Sequence, residues 1–198
     1  MPLISQEPLT NGVRYHIGRP VVVERCWWYP AIAFKRGQEV TISADGCVQI
    51  GGRGKTRKRY VDPRGPSSEK LYHALVAIPG VTDGLVRLQD VVDIPLAIPT
   101  SSSLILGFED DFYPDNGYSD PSDPGTDCQC TGKGDASVTV TVTQAGSSPV
   151  PSPPQVVSAG PHERAKFQSP LPAPSPGINA PSCPTTTPAP PRSRLRKR

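Results

Sequence analysis

The chain has 198 residues, 26 of them proline and 18 glycine, with a formal net charge of +3 and a mean hydropathy of −0.36. Proline at this density argues against one uniform compact domain, and no stretch reaches the ~18 apolar residues of a membrane span. The charge is unevenly shared: in residues 147–198 seven basic side chains stand against Glu163, a net of +6, so with +3 overall the remainder carries −3.

Residues 1–19 read as an N-terminal extension. They hold no apolar h-region of a secretory signal peptide, so the sequence predicts a soluble protein, cytoplasmic or exported by another route. Residues 20–146 are predicted to form one folded domain, a length that supports a real core. Short β-prone runs recur there between turn signals, at 20–23, 31–34, 39–43, 75–79, 85–88, 104–108 and 136–143. That rhythm predicts an all-β sandwich or barrel.

Within the domain, Trp27, Trp28 and Tyr29 offer either a sugar-stacking platform or a mixture of core and covering surface. Lys35-Arg36-Gly37-Gln38 reads as a hairpin turn with glycine where a positive φ is needed. Arg53, Lys55, Arg57, Lys58 and Arg59, mixed with Gly51, Gly52 and Gly54, form the strongest pointer to nucleic acid, since basic loops bind phosphate through charge. Only Tyr60 stands beside them for stacking, and a solvated loop fits the same residues. Gly54-Lys55-Thr56 imitates the end of a P-loop without its spacing. One short helical turn is expected within 68–77.

Catalytic candidates are sparse. His16, His73 and His162 are the only histidines, and Ser101-Ser102-Ser103 lacks a nucleophile elbow. Asp110 and Asp111 are adjacent, so on a strand they point to opposite faces and make a poor acid/base pair. A non-enzymatic protein is expected.

Between the runs at 104–108 and 136–143 lies the most informative segment. Asp110, Asp111, Asp115, Asn116, Asp120, Asp123 and Asp127 fall within eighteen residues, interleaved with Phe108, Phe112, Tyr113 and Tyr118. Such a loop carries self-repulsion that a divalent cation would remove, and its all-oxygen donors suit Ca2+ over softer metals. Of the five cysteines, Cys128 and Cys130 are too close to pair comfortably with each other. A bond from Cys26 or Cys47 to one of them is open, with Cys183 further on. Ser137 to Thr143 alternates valine with polar residues, as a strand with one buried face must. Fourteen of the 26 prolines fall between Pro149 and Pro191, so 147–198 is predicted to be a disordered, Pro-rich basic tail. Its charge suits solubility, an anionic membrane surface or nucleic acid.

The series Arg36-Gly37-Gln38-Glu39-Val40-Thr41-Ile42-Ser43-Ala44-Asp45-Gly46, then 74–79, then Leu104-Ile105-Leu106-Gly107-Phe108-Glu109-Asp110-Asp111 with Asp115-Asn116-Gly117, resembles the galactose-binding-like β-sandwiches of the PA-I lectin type. The resemblance spans residues 20–143. It implies a jelly-roll sandwich with a calcium ion near one end, through which a galactose-like or other carbohydrate is held by two hydroxyls. Asp111, Asp115 and Asn116 would be side-chain ligands, with main-chain carbonyls near Tyr113 and Ile50. Asp111, Asn116, Tyr113 and Trp28 would face the sugar, and Asp110 would point away. A structural or adaptor protein with an architectural calcium, whose tail or basic loop binds a partner such as nucleic acid, is the alternative.

Overall fold

A computed structural model describes residues 2–51, 56–65, 67–118, 130 and 132–145. The expected tail, 147–198, lies outside them.

Eleven strands make up the described chain: β1 (Leu3–Leu9), β2 (Gly12–Gly18), β3 (Cys26–Phe34), β4 (Gln38–Asp45), β5 (Cys47–Ile50), β6 (Thr56–Arg59), β7 (Ala74–Ala77), β8 (Val86–Arg87), β9 (Leu96–Ala97), β10 (Ser102–Phe108) and β11 (Ser137–Gln144). The only helical segments among the described residues are two three-residue 3-10 turns, Leu88–Asp90 and Tyr113–Asp115. No described helix is long and apolar enough to cross a membrane. The protein is all-β, with antiparallel pairing throughout its named strands.

Two sheets carry the fold. One has five strands in the order β1-β2-β11-β4-β9, the other four in the order β3-β10-β7-β8, and β5-β6 forms a separate hairpin. Their inward side chains meet in one cluster. Ile17, Val40, Ile42, Val138, Val140 and Val142 come from the first sheet, while Tyr29, Phe34, Val76, Leu104, Leu106 and Phe108 come from the second. The alternation in β11 does what its period dictates: its valines are buried and its threonines lie on the other face, with β2 and β4 paired along both of its edges. β10 instead buries five consecutive residues, Leu104–Phe108. Its second face is covered too, because Ile105 packs with Cys26, Ala77, Trp28 and Leu85. Gly107 leaves room there for the Arg25 carbonyl, which a Cβ would strike.

Several expectations change. Residues 1–19 are no separate extension, since β1 and β2 belong to the five-stranded sheet and Ile17 is fully buried. Their mostly polar pattern hides this, because β1 is an edge strand that buries almost nothing. The run at 20–23 is not a strand. Its backbone is spent on side chains: Tyr29 Oη accepts from the Val21 N–H, while the Pro20 and Val22 carbonyls accept from Tyr118 and Asn116. Gly37 does adopt a positive φ of 83°. However, the turn it serves joins β3 of one sheet to β4 of the other, so it is an arch between sheets and not a hairpin. The helical turn survives only as 67–71, where the Lys70 and Leu71 N–H groups both reach the Ser67 carbonyl.

Leu106 is fully buried at the middle of this shared core. Leu106→Ala should lower unfolding free energy by about 2–5 kcal/mol, read as a reduced urea midpoint at unchanged m-value.

Candidate metal centre

The acidic loop leaves β10 at Phe108, whose N–H is donated to the Arg25 carbonyl at 3.1 Å. Next, the Glu109 N–H reaches the His73 carbonyl at 2.9 Å, and the Glu109 carbonyl accepts from Tyr72 at 2.6 Å. The chain then turns on Asp110. Its Oδ1 accepts the N–H groups of Asp111 and Phe112 at 2.6 and 3.3 Å, an Asx-type turn in which a short carboxylate imitates backbone. The 3-10 turn follows, closed by the Asn116 N–H on the Tyr113 carbonyl at 3.1 Å.

Four bonds then tie the loop's far end down. Asn116 Nδ2 donates to the Val22 carbonyl at 3.1 Å, Gly117 and Gln49 exchange both main-chain bonds at 2.9 and 3.0 Å, and Tyr118 Oη donates to the Pro20 carbonyl at 2.5 Å. Tyr113 Oη adds a bond to the Phe108 carbonyl. The loop is therefore stapled to β5 and to the segment before β3.

Inside it, Glu109 Oε2 is buried without a hydrogen bond but faces the Arg87 guanidinium at 3.8 Å, and two further oxygens stand out. Asp110 Oδ2 and Asn116 Oδ1 are buried with no hydrogen-bond partner, and the Asn116 residue is only 7% exposed. Unsatisfied buried oxygen is costly, and a hard cation is one thing that satisfies it. Burial raises the Asp110 carboxyl above its ordinary range, the Asn116 amide opposes that, and the Asp111 carboxyl adds to it. The Tyr72 phenol is pushed up chiefly by burial and then by the charges of Asp111, Asp110 and Asp115.

The residues expected as ligands differ in exposure and position. Asp111 is exposed, Asp115 and Tyr113 are half-buried, and Asn116 is buried as a ligand would be. Ile50 is buried in β5, paired with Thr56, and its neighbour Gln49 is the residue that bridges to the loop. Asp110, expected to point away, is the carboxylate turned inward. Leu104, Leu106 and Phe108 face the shared core, so counting on by two already puts Asp110 on the inner side. Trp28 is not brought to the loop: it packs with Cys26, Ala77, Ile105 and Leu85, and its Nε1 donates to Ser103 Oγ. Asp120, Asp123 and Asp127 lie outside the described residues. Among the described residues no three His, Cys, Asp or Glu side chains are grouped to hold a metal. A site here must therefore draw on the Asn116 amide and main-chain carbonyls beside Asp110.

The basic cluster has a different fate. Arg53 and Lys55 lie outside the described residues, but Arg57 and Lys58 are 4% and 2% exposed. Arg57 pairs with Asp135 at 3.2 Å, and Arg19 holds the other oxygen of the same carboxylate at 2.8 Å. Lys58 Nζ donates to the Arg64 carbonyl, while Arg59 and Arg64 share Asp62. The described basic side chains of β6 are thus structural. Beside them Cys47 is disulfide-bonded to Cys130, and Cys26 is disulfide-bonded as well. A depression of about 360 Å³ adjoins the loop's exit, lined by Pro2, Arg19, Pro20, Val22, Gly117 and Tyr118 among others.

Comparison with protein-family models, with curated proteins and with solved structures found no match to this chain.

Two outcomes follow. Asp135→Ala strands the buried Arg57 guanidinium and should cost about 3–5 kcal/mol in chemical denaturation. The raised Asp110 carboxyl contributes stability in its protonated form, present below the ordinary carboxylate value of about 4 and lost as pH rises through the higher native value. In chelator, Asp110→Asn should therefore gain melting temperature relative to the parent as pH rises from that value towards neutrality, and match it in acid.

Proposed function

We propose that this chain is a non-catalytic, calcium-dependent binding module of jelly-roll, galactose-binding-like type whose partner is carbohydrate. The observation that supports it is the pair of buried, partnerless oxygens, Asp110 Oδ2 and Asn116 Oδ1, in a loop whose other donors are also oxygens. Asp110 and Asn116 would be the inner ligands with the Tyr113 carbonyl, and Asp111 and Asp115 would have to close on the ion from the solvent side as it binds. A bound Ca2+ in such a cradle supplies coordination positions that vicinal sugar hydroxyls can take from water. The protein's own part is positional: Val22 fixes the Asn116 amide so that its oxygen faces inward, and the Asx turn fixes Asp110 through one oxygen while leaving the other free. Tyr113, and not Trp28, would be the aromatic residue beside the ion, since Trp28 packs away from the loop. The Cys47–Cys130 bond favours the exported over the cytoplasmic alternative, because such bonds persist in oxidising surroundings.

The second reading, a structural or adaptor protein with an architectural ion, draws support from the loop's staples. A cation there would brace β5, β10 and the 20–23 segment together without presenting anything outward. Nucleic-acid binding by the basic cluster draws little support, since Arg57, Lys58 and Arg59 are taken up internally.

Calcium at a hundredfold excess over its dissociation constant should add ~2.7 kcal/mol and several degrees to the melting temperature. Asp110→Asn and Asn116→Leu should abolish that shift, whereas Asp111→Ala should weaken it. A glycan array run with Ca2+ and with chelator then separates the readings. Calcium-dependent signals support the lectin-like function, a calcium shift without glycan signal leaves the architectural ion, and no shift removes both.

A further inference from the structure

Among the described residues, the five-stranded sheet ends in an edge that is open yet bounded. β1 stands at the margin of the sheet, paired only with β2, and six of its seven residues are exposed. Which of its backbone groups face outward follows from β2. The Arg19 N–H is donated to the Ala136 carbonyl and the Gln144 N–H to the Asn11 carbonyl, so odd-numbered positions along β2 bond towards β11. Its even positions, Gly12, Arg14, His16 and Gly18, therefore bond towards β1, where they oppose Leu9, Glu7, Ser5 and Leu3. The N–H and C=O groups of Ile4 and Gln6 are left pointing away from the sheet. Pro2 and Pro8 occupy the two flanking outward positions, and neither has an N–H to offer.

We propose that this edge pairs with the β1 edge of a second copy of the chain, antiparallel and centred on Ser5, so that two five-stranded sheets join into one of ten strands. The spacing is self-complementary. With Ser5 opposite Ser5 of the second copy, Ile4 of each chain faces Gln6 of the other, and the two residues exchange both main-chain bonds. Pro2 then falls opposite Pro8 of the second copy, where each needs no donor from the other. Four inter-chain bonds form in this register, and the prolines stop the ladder on both sides. A shift by two residues would set a proline against Ile4 or Gln6, whose C=O then goes unmet.

Charge fits the same register. Glu7 is the only ionised residue of β1 and is already held by Arg14 at 3.1 Å. It lands opposite Leu3 of the second copy and not opposite another glutamate, so no like charges meet. Leu3 and Ile4 are 71% and 42% exposed, and the pairing gives both apolar side chains a neighbour. A free edge of this kind is otherwise a template for indiscriminate association. Prolines at two outward positions restrict it to one partner strand and one alignment.

Sedimentation velocity on the full chain over a concentration series tests this. The parent and Gln6→Thr, which keeps the N–H, should show a concentration-dependent dimer. Gln6→Pro removes an outward donor while leaving every β1–β2 bond in place, and should be monomeric. A parent that stays monomeric at high protein concentration overturns the proposal, as does a dimer that survives Gln6→Pro. Cross-linking decides the matter if Gln6→Pro fails to fold. Under oxidation Ser5→Cys should give a covalent dimer above the parent's background, since directly opposed residues sit within disulfide reach. Glu7→Cys should not, because its counterpart would lie about 13 Å away along the strand. Equal cross-linking by both variants, or none by either, overturns the pairing.

Discussion

Everything in this molecule depends on keeping water out from between two sheets that the chain visits in alternation. β2, β4 and β11 supply one wall, β3, β7 and β10 the other, and the consecutive strands β3 and β4 already belong to opposite walls. Neither wall is stable alone, because each exposes a full apolar face without the other. The arch at Gly37 is therefore a structural necessity: it turns the chain out of one sheet and into its partner within four residues.

The same exclusion of water gives the acidic loop its chemistry. A carboxylate in solvent needs no special partner, but one drawn half into the rim must find donors or an ion. Asp110 finds two backbone donors for one oxygen and none for the other, and Asn116 repeats the pattern with its amide nitrogen satisfied and its oxygen bare. Asp135 shows the contrasting solution at the same end of the fold. Both of its oxygens are matched by guanidinium groups, from Arg19 and Arg57, and it is complete as it stands.

How far the sequence disclosed this varies with what each residue depends on. β11 and β10 were legible because local patterns, alternating valines in one and an unbroken apolar run in the other, report burial directly. β1 and β2 were not, because an edge strand held by backbone bonds needs no apolar code. β5 and β6 were hidden for a different reason: Arg57 and Lys58 read as a solvated basic run, and only the tertiary position of Asp135 and the Arg64 carbonyl turns them inward. In the acidic loop, the sequence showed the crowding of oxygen side chains but not which of them the fold buries, Asn116 and one oxygen of Asp110. The inward carboxylate was assigned to Asp111, although the parity of β10 carried forward gives Asp110. The remoteness of Trp28 could not be read, since it follows from which strand lies beside β3.

The pairing of His16 with Thr139 spans 123 positions of sequence. β2 lies near the start of the chain, yet its inner neighbour is the last described strand. Until that strand emerges from the ribosome, the N-terminal hairpin has no β11 to dock against, and the backbone N–H and C=O groups of β4 face solvent along the edge β11 will later occupy. Long-range pairing of this sort makes for a slow folder, with most of its contacts forming late and together. For as long as synthesis lasts, the nascent chain presents unpaired strand edges, the kind of surface that makes folding intermediates prone to associate.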